Sequence, residues 1–295
     1  MPTFEHVILT RFNVRYVADP TAPSIGVDPR WLENRFELFE RYCLPSIMGQ
    51  STQGFTWIVF FDSATPEPYA EKARALAALR PRAHTVFCET LPLDLVKETV
   101  RRAVGEPPEW LLSTRLDNDD GLHGDFVANA QRAQSFAADE VLCFPTGVIL
   151  RDGRTYRRRD PSNAFISLSE RFDDFGTVLG IGQHIYAGNA YPMRQLVPDP
   201  MWLQVVHTTN ISNKVRGWRI SPAKVASGFP ALSGFTNTDG DQGTASIAAE
   251  NAVLYPLRRM RDFVIATARR VLRMTGFKLN WLDASRRLSS VERRL

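Results

Sequence analysis

The sequence predicts an α/β chain: a mostly parallel sheet flanked by helices, with a basic amphipathic helix at its C-terminal end. Three observations predict it. Short apolar runs alternate with segments of helical period through the first third, several of these runs end in an acid or a turn signal, and the charge is segregated along the chain. Strands that alternate with helices must be joined by crossovers, and crossovers make a parallel sheet with both faces covered. At 295 residues the chain is long enough to bury a large core without disulfides. With 44% hydrophobic and 23% charged residues it falls outside the disordered and fibrous classes.

The elements follow in order. His6 to Thr10 is a short strand, and Arg30 to Tyr42 carries Trp31, Phe36, Leu38, Phe39 and Tyr42 at helical spacing, with Pro45 as its stop. Trp57 to Phe61 is an apolar strand ending at Asp62. Pro68 to Leu79 is the next helix, His84 to Cys88 the next strand, and Leu93 to Val104 a further helix closed by Gly105 and Pro107-Pro108. Trp110 to Thr114 is a strand that runs straight into Arg115-Leu116-Asp117-Asn118-Asp119-Asp120-Gly121. Asp125 to Ala137 reads as a helix, Glu140 to Pro145 and Gly147 to Leu150 as strands, and Arg151-Asp152-Gly153-Arg154 as a hairpin turn. From there to about Asn213 the pattern is mixed. The stretch 231–255 reads as loop or linker, and 256–295 as a basic helical tail. These readings divide 1–230 into two halves, about 1–125 and about 126–230.

Cys43, Cys88 and Cys143 are odd in number, far apart and set in apolar stretches, which fits reduced core thiols rather than a disulfide framework or a zinc site. Met1 to Thr10 has neither a basic nor an apolar leader region, and no run approaches the roughly 18 apolar residues of a membrane span. The expected location is cytoplasmic. Residues 256–295 carry a net charge of +8 and the rest of the chain −4, so the basic pI belongs to the tail and gives no support to a nucleic-acid-binding body.

In an open parallel sheet, ligands sit at the carboxyl ends of the strands. Asp62 and the Asp117–Asp120 cluster both fall at such ends, and Arg11 and Asn13 follow the first strand where the sheet would meet a nucleotide. Three carboxylates within four residues repel one another, and a cation relieves that repulsion. Hard oxygen ligands without cysteine favour Mg²⁺ or Mn²⁺, ions that leave room for water and phosphate oxygens. A diphosphate would fit. The spacing fails an EF-hand, because the fifth position from Asp117 is already Gly121. A solvated acidic turn ahead of the helix at Asp125 is the plain alternative. Arg11 could pair with a phosphate or with a surface acid, and Arg115 could pair with Asp62 or orient Asp117.

A strand ending in Asp-x-Asp-Asp inside such a sheet resembles the GT-A fold of nucleotide-sugar glycosyltransferases. More narrowly, His6-Val-Ile-Leu-Thr-Arg-Phe-Asn13, Leu44-Pro-Ser-Ile47 with Gln50-Ser51, Thr114 to Asp120, and Trp202-Leu-Gln-Val-Val-His207 together resemble the bacterial putative rhamnosyltransferase family, over roughly Phe4 to Asn213. The resemblance implies transfer of a sugar from a dTDP-, UDP- or GDP-linked donor to a glycan or lipid-linked acceptor, with inversion. It implies that Asp117 contacts the donor's ribose or nucleotide and Asp119 binds the metal, with Asp120 in support. His207 would be a further anchor for metal or diphosphate, or else a packed histidine at a strand end, and Asn210 could share the site.

An inverting transfer needs a carboxylate to take the acceptor's proton. The candidates are Glu170, Asp173 and Asp174, with Asp199 as a fourth. Glu170 comes first because the family shows a Glu after its Phe-x-Ser-Leu run, here Phe165 to Leu168. In the tail, Leu257, Met260, Val264, Ala268 and Val271 recur at helical spacing, with arginines mainly on the other side. Such a helix suits either an anionic membrane surface, which would make the protein peripheral on the inner face of the membrane, or packing on the enzyme body. Nucleic acid is not an expected partner. The rival functions are a metal-dependent nucleotidyl or phosphoryl transferase, against which stands the lack of a Gly-rich phosphate loop, and a non-catalytic nucleotide- or glycan-binding module.

Overall fold

The computed structural model describes residues 2–14, 25–76, 78–196, 199–207, 215–235 and 243–274. The chain divides into two compact units, Met1–Asp241 and Gln242–Leu295. The first holds two sheets. Its opening strands, β1 (Phe4–Arg11), β2 (Thr56–Asp62), β3 (Ala83–Cys88) and β4 (Trp110–Arg115), alternate with helices α1 (Pro29–Leu38), α2 (Leu44–Met48), α3 (Glu67–Leu76) and α4 (Leu93–Val104). There follow β5 (Gly121–Leu122), α5 (Phe126–Ala133), β6 (Glu140–Cys143), β7 (Thr146–Arg151), β8 (Arg154–Arg159), β9 (Ile166–Arg171), α6 (Thr177–Gly180) and α7 (Ala187–Ala190). The strands β10 (Met193–Gln195), β11 (Trp202–Val205) and β12 (Trp218–Ile220) close the first unit, and α8 (Thr244–Met274) forms the second.

The first sheet has the order β10-β6-β9-β4-β1-β2-β3. β4, β1, β2 and β3 are mutually parallel, whereas β9 runs antiparallel to both β4 and β6. The mixed α/β layout with one reversed strand is the expected GT-A-like class. Both faces are covered, and the side chains alternate between them. Ile8, Trp57, Val59, Phe61 and Leu112 join one core cluster, while Val7, Leu9, Ile58, Phe60 and Leu111 join the other. This two-sided burial explains why β2 reads as an unbroken apolar run. On the first face Phe12 lies 4.5 Å from Phe36 and 4.7 Å from Phe61, and Phe39 stacks on Trp57 at 5.8 Å, which fastens α1 across the ends of β1 and β2.

The second sheet has the order β12-β8-β7-β11-β5. Asp152 and Gly153 make its hairpin turn, both at positive φ (49° and 72°), which the Asp-Gly pair tolerates. β11 rests on Gly147, where a Cβ would fall 2.0 Å from the Trp202 ring. Trp202 in turn stacks on Phe165 at 5.1 Å and donates its indole N–H to the Phe144 carbonyl.

Several expectations are corrected. Pro45 does not stop the helix begun at Pro29. A π-helical turn, Phe39–Cys43, intervenes, the Leu44 N–H donates back to the Phe39 carbonyl, and the helix resumes with Pro45 in its first turn, where a missing N–H costs little. Residues on both sides of position 125 share each sheet: β6, β9 and β10 return to the first, and β5 pairs in the second. The reading of 231–255 as linker is also shortened. α8 begins at Thr244 and runs through Pro256, since Thr244 to Ala252 is rich in Ala, the best helix former. The three cysteines are free, with Cys43 and Cys143 buried and Cys88 half-buried. Among the described residues no helix is long and apolar enough to cross a membrane.

Candidate functional site

Four parallel strands end on one rim, and Asp62 and Asp117–Asp120 both lie on it, at the ends of β2 and β4 with β1 between them. Asn13, just past β1, ties two strand ends together. Its amide donates to the Gly26 carbonyl and the Thr65 hydroxyl, and its oxygen accepts the Asp62 N–H at 2.9 Å. Asn13 thus shapes the rim, with its polar atoms engaged in the loops around it. The buried Asp62 carboxylate accepts the Ala64 N–H. Arg11 closes β1 on the same rim, paired in register with Phe60.

The acids of the cluster have separate partners. Arg115 holds Asp117 with both ends of its guanidinium, at 3.1 to 3.2 Å, so of its two expected roles the structure shows the orienting of Asp117. Asn118 donates to the Phe12 carbonyl and fastens the loop to the end of β1. Asp119 meets His207 Nε2 at 2.9 Å and Arg35 Nη1 at 2.6 Å through the same carboxylate oxygen. The side chains of Arg35, Asp119 and His207 are only 12%, 11% and 14% exposed. Asp120 is buried, and its Oδ1 accepts the Val205 N–H, which joins the acidic loop to β11 and so sets the position of His207 two residues on.

These partners set the electrostatics. Burial pushes the Asp119 carboxyl up, but the His207 hydrogen bond and the Arg35 charge outweigh it and hold the group below the usual carboxylate range. Asp120 goes the other way, held well above that range by burial and by the Asp119 and Asp117 charges. The buried Cys43 thiol beneath the cluster is also pushed up, by burial first and then by the three carboxylates, which leaves it chemically inert.

Two residues here were not singled out in the sequence. Arg35 lies on α1, its guanidinium 4.8 Å from the Trp31 ring one turn earlier, and reaches Asp119 across 84 residues of chain. His184 is half-buried within electrostatic reach of Arg115 and Asp117, with its pKa lowered by burial and then by Arg115. The Trp31-Arg35 spacing is legible as one helix face, but nothing local says that this face meets an acid.

The proposed ligand shell of Asp117, Asp119, Asp120 and His207 does not form as a unit. Asp117 is engaged by Arg115 and Asp120 by the Val205 amide, and among the described residues no group of three or more His, Cys, Asp or Glu side chains is arranged to hold a metal ion. Asp119 and His207 are in contact. One carboxylate and one imidazole fit an ion that takes its other ligands from water and phosphate, the usual habit of Mg²⁺ and Mn²⁺. Asn210 lies outside the described residues.

The proposed bases lie on the opposite rim from Asp117–Asp120. β9 runs against β4, so Glu170 pairs with Leu111 and Arg171 with Trp110, at the start of the strand whose far end carries Asp117. Glu170 is buried and accepts the Gly176 and Thr177 N–H groups at 2.9 Å each; burial raises its pKa. It fastens a turn in which Thr177 has φ 60°. Asp173 and Asp174 follow it on that rim, exposed, and Asp173 lies 3.8 Å from Arg171. Asp199 is exposed, ahead of β11.

No curated protein matches the chain in sequence. Among solved structures it is similar to S. aureus TarS 1-349, at 13% identity and TM-score 0.38, over 68% of this chain and 60% of that one. The same protein in complex with UDP-GlcNAc gives 13% and 0.44, over 82% and 69%. A putative nucleotide-diphospho-sugar transferase from Desulfovibrio desulfuricans G20 gives 11% and 0.37, over 86% and 97%. The chain thus spans 60% of the length of the first of these. The family described as putative rhamnosyl transferase matches residues 5–219, which takes in the acidic loop, Arg35 and His207, and the chain belongs to that family of glycosyltransferases.

Proposed function

We propose that the chain transfers a sugar, rhamnose by its family's description, from a dTDP-, UDP- or GDP-linked donor to a glycan or lipid-linked acceptor, with inversion. The observation that carries this reading is the Arg35–Asp119–His207 cluster, a carboxylate held ionised by two basic groups at the carboxyl rim of a parallel sheet. In the reaction an acceptor hydroxyl oxygen forms the bond to the sugar's anomeric carbon, the bond to the donor phosphate breaks, and the hydroxyl proton passes to a base. The nucleoside diphosphate leaves with the bonding pair. Arg115 keeps Asp117 oriented toward the nucleotide, and Asn13 and Asp62 hold the strand ends that the nucleotide spans. Mg²⁺ or Mn²⁺ at Asp119 and His207 would stabilise the charge that develops on the leaving diphosphate.

A second reading has its own observation. Arg35 already bonds the Asp119 oxygen that would face an ion, so the cationic support for the diphosphate could come from Arg35 itself, with His207 beside it. Calorimetry of the purified protein against dTDP, UDP and GDP, with and without Mn²⁺, separates the two. Binding of one diphosphate that requires Mn²⁺ and is lost in Asp119→Ala supports the metal. Equal binding without Mn²⁺, lost in Arg35→Gln, supports the arginine. No binding under either condition removes the donor site and favours a module without turnover.

We also propose that α8 meets an anionic membrane surface at the inner face. Val253, Leu257, Met260 and Val264 are exposed and share one helical face, with Arg258 and Arg259 beside them. Sedimentation with vesicles should show binding that rises with anionic lipid content. Equal binding to zwitterionic vesicles, or none, would count against it.

A further inference from the structure

A cleft of about 560 Å³ opens where the carboxyl ends of β7 and β11 face the π-helical turn between α1 and α2. His207, which meets Asp119 at 2.9 Å, forms part of its wall, and neither Asp62 nor Asn13 lines it. Its floor is apolar, made by Leu38, Leu150, Val205 and Val206. Its mouth is aromatic and cationic. The exposed Arg41 guanidinium lies 5.4 Å from the Tyr42 ring and 5.7 Å from the Phe235 ring, and no carboxylate pairs with it among the described residues. Across the mouth, the hairpin turn brings Arg151 and Asp152, paired at 3.2 Å with side chains 54% and 82% exposed. Water screens such a pair, and an entering anion can exchange with it.

We propose that this cleft is the acceptor site, and that it selects a saccharide bearing an oxyanion, either a carboxylate or a phosphate, which Arg41 and Arg151 hold while the sugar ring lies on the aromatic wall. The word acceptor rests on the transferase reading above; the anion preference does not. The volume falls within the range of small-molecule sites. Guanidinium forks match carboxylate and phosphate oxygens two bonds at a time, and a fork stacked on aromatic rings loses little freedom when it binds. Of the charged side chains that line the cleft, two are guanidinium groups and one is a carboxylate, and the aromatic rings beside Arg41 suit the face of a sugar ring. A neutral glycan would leave that charge unanswered.

The test is saturation-transfer NMR titration of the full chain with methyl β-D-glucuronide, glucose 6-phosphate and methyl β-D-glucoside, repeated on Arg41→Gln and Arg151→Gln. UDP, dTDP and GDP are titrated in parallel against the wild type. The expected result is that at least one of the two anionic probes binds about tenfold more tightly than the neutral glycoside, and that each substitution removes that preference. Response of the glucuronide alone identifies a carboxylate, and of the phosphate alone a phosphorylated sugar. Arg151 is exposed on a turn, so its variant keeps the test valid if Arg41→Gln does not fold. Equal binding of all three probes, no binding of either anion, or a preference that survives both substitutions would overturn the proposal. If the anion preference holds while no nucleoside diphosphate binds the wild type, the transferase reading fails and the anion-selective cleft stands.

Discussion

Two neighbouring, hydrogen-bonded strands each lead into a run of carboxylates, and the two runs have opposite fates. β4 ends at Arg115 and leads into Asp117–Asp120, while β9 carries Glu170 one residue before its end at Arg171 and leads on to Asp173 and Asp174. Because β9 is reversed, the second run lies beside Leu111 at the beginning of β4, six residues from Asp117 and so roughly 20 Å away along the sheet. Their chemistry differs accordingly. Asp119 is held ionised by His207 and Arg35, a state that can meet a cation or organise a diphosphate. Glu170 is buried with its oxygens committed to two backbone amides, as a structural fastener requires. Strand direction, rather than the presence of acids after a strand, decides on which rim each run of acids lies.

Four variants would sharpen or break this comparison. Asp119→Ala leaves Arg35 and His207 without their shared acceptor, and nucleoside diphosphate affinity by calorimetry should fall on the order of a hundredfold or more. The double change Asp173→Asn, Asp174→Asn should leave it within about twofold, and a comparable loss there would erase the distinction between the rims. Glu170→Ala orphans two N–H groups, one of them on a buried residue, and should cost about 2–3 kcal/mol in urea unfolding, with nucleotide affinity in the folded protein unchanged. Arg35→Gln should weaken nucleotide binding about tenfold, since it removes a charge that keeps Asp119 ionised.

Asp120→Asn gives the smallest effect, and its sign is set by the raised pKa. A carboxyl raised in the folded state contributes its full stability below its unfolded value of about 3.9 and loses it as the pH climbs through the folded value. Wild type and variant should therefore unfold alike near pH 3. By pH 7 the variant should be about 1 kcal/mol more stable, its amide oxygen still accepting the Val205 N–H. A variant that is less stable at pH 7 would show that the Asp120 charge is compensated.

Most of the first sheet was legible because two signals agreed: apolar runs of strand length, and helical periods between them. The rim was legible for the same reason, since parallel strands all end on one side. The reversed strand was not, because Ile166 to Arg171 reads equally well in either direction, and only its pairing with Trp110–Thr114 decides which rim Glu170 occupies. Arg35 was invisible for a different reason. Its partner is 84 residues away, and only the packing of Phe36 and Phe39 on Phe12 and Trp57 turns α1 so that Arg35 reaches Asp119. The helix through Pro45 was missed because a π-helical turn has no pattern of its own in the sequence, and the start of α8 because its Gly- and Asn-rich approach masked the Ala-rich run behind it.

The most direct test of which rim is functional is amide hydrogen exchange, with and without whichever of dTDP, UDP or GDP binds most tightly. Slowed exchange in 116–122 and 203–207, with 170–180 unchanged, is the result expected of a site built on Asp119 and His207. Protection confined to 170–180 would contradict it and return the acids beyond β9 to the active site.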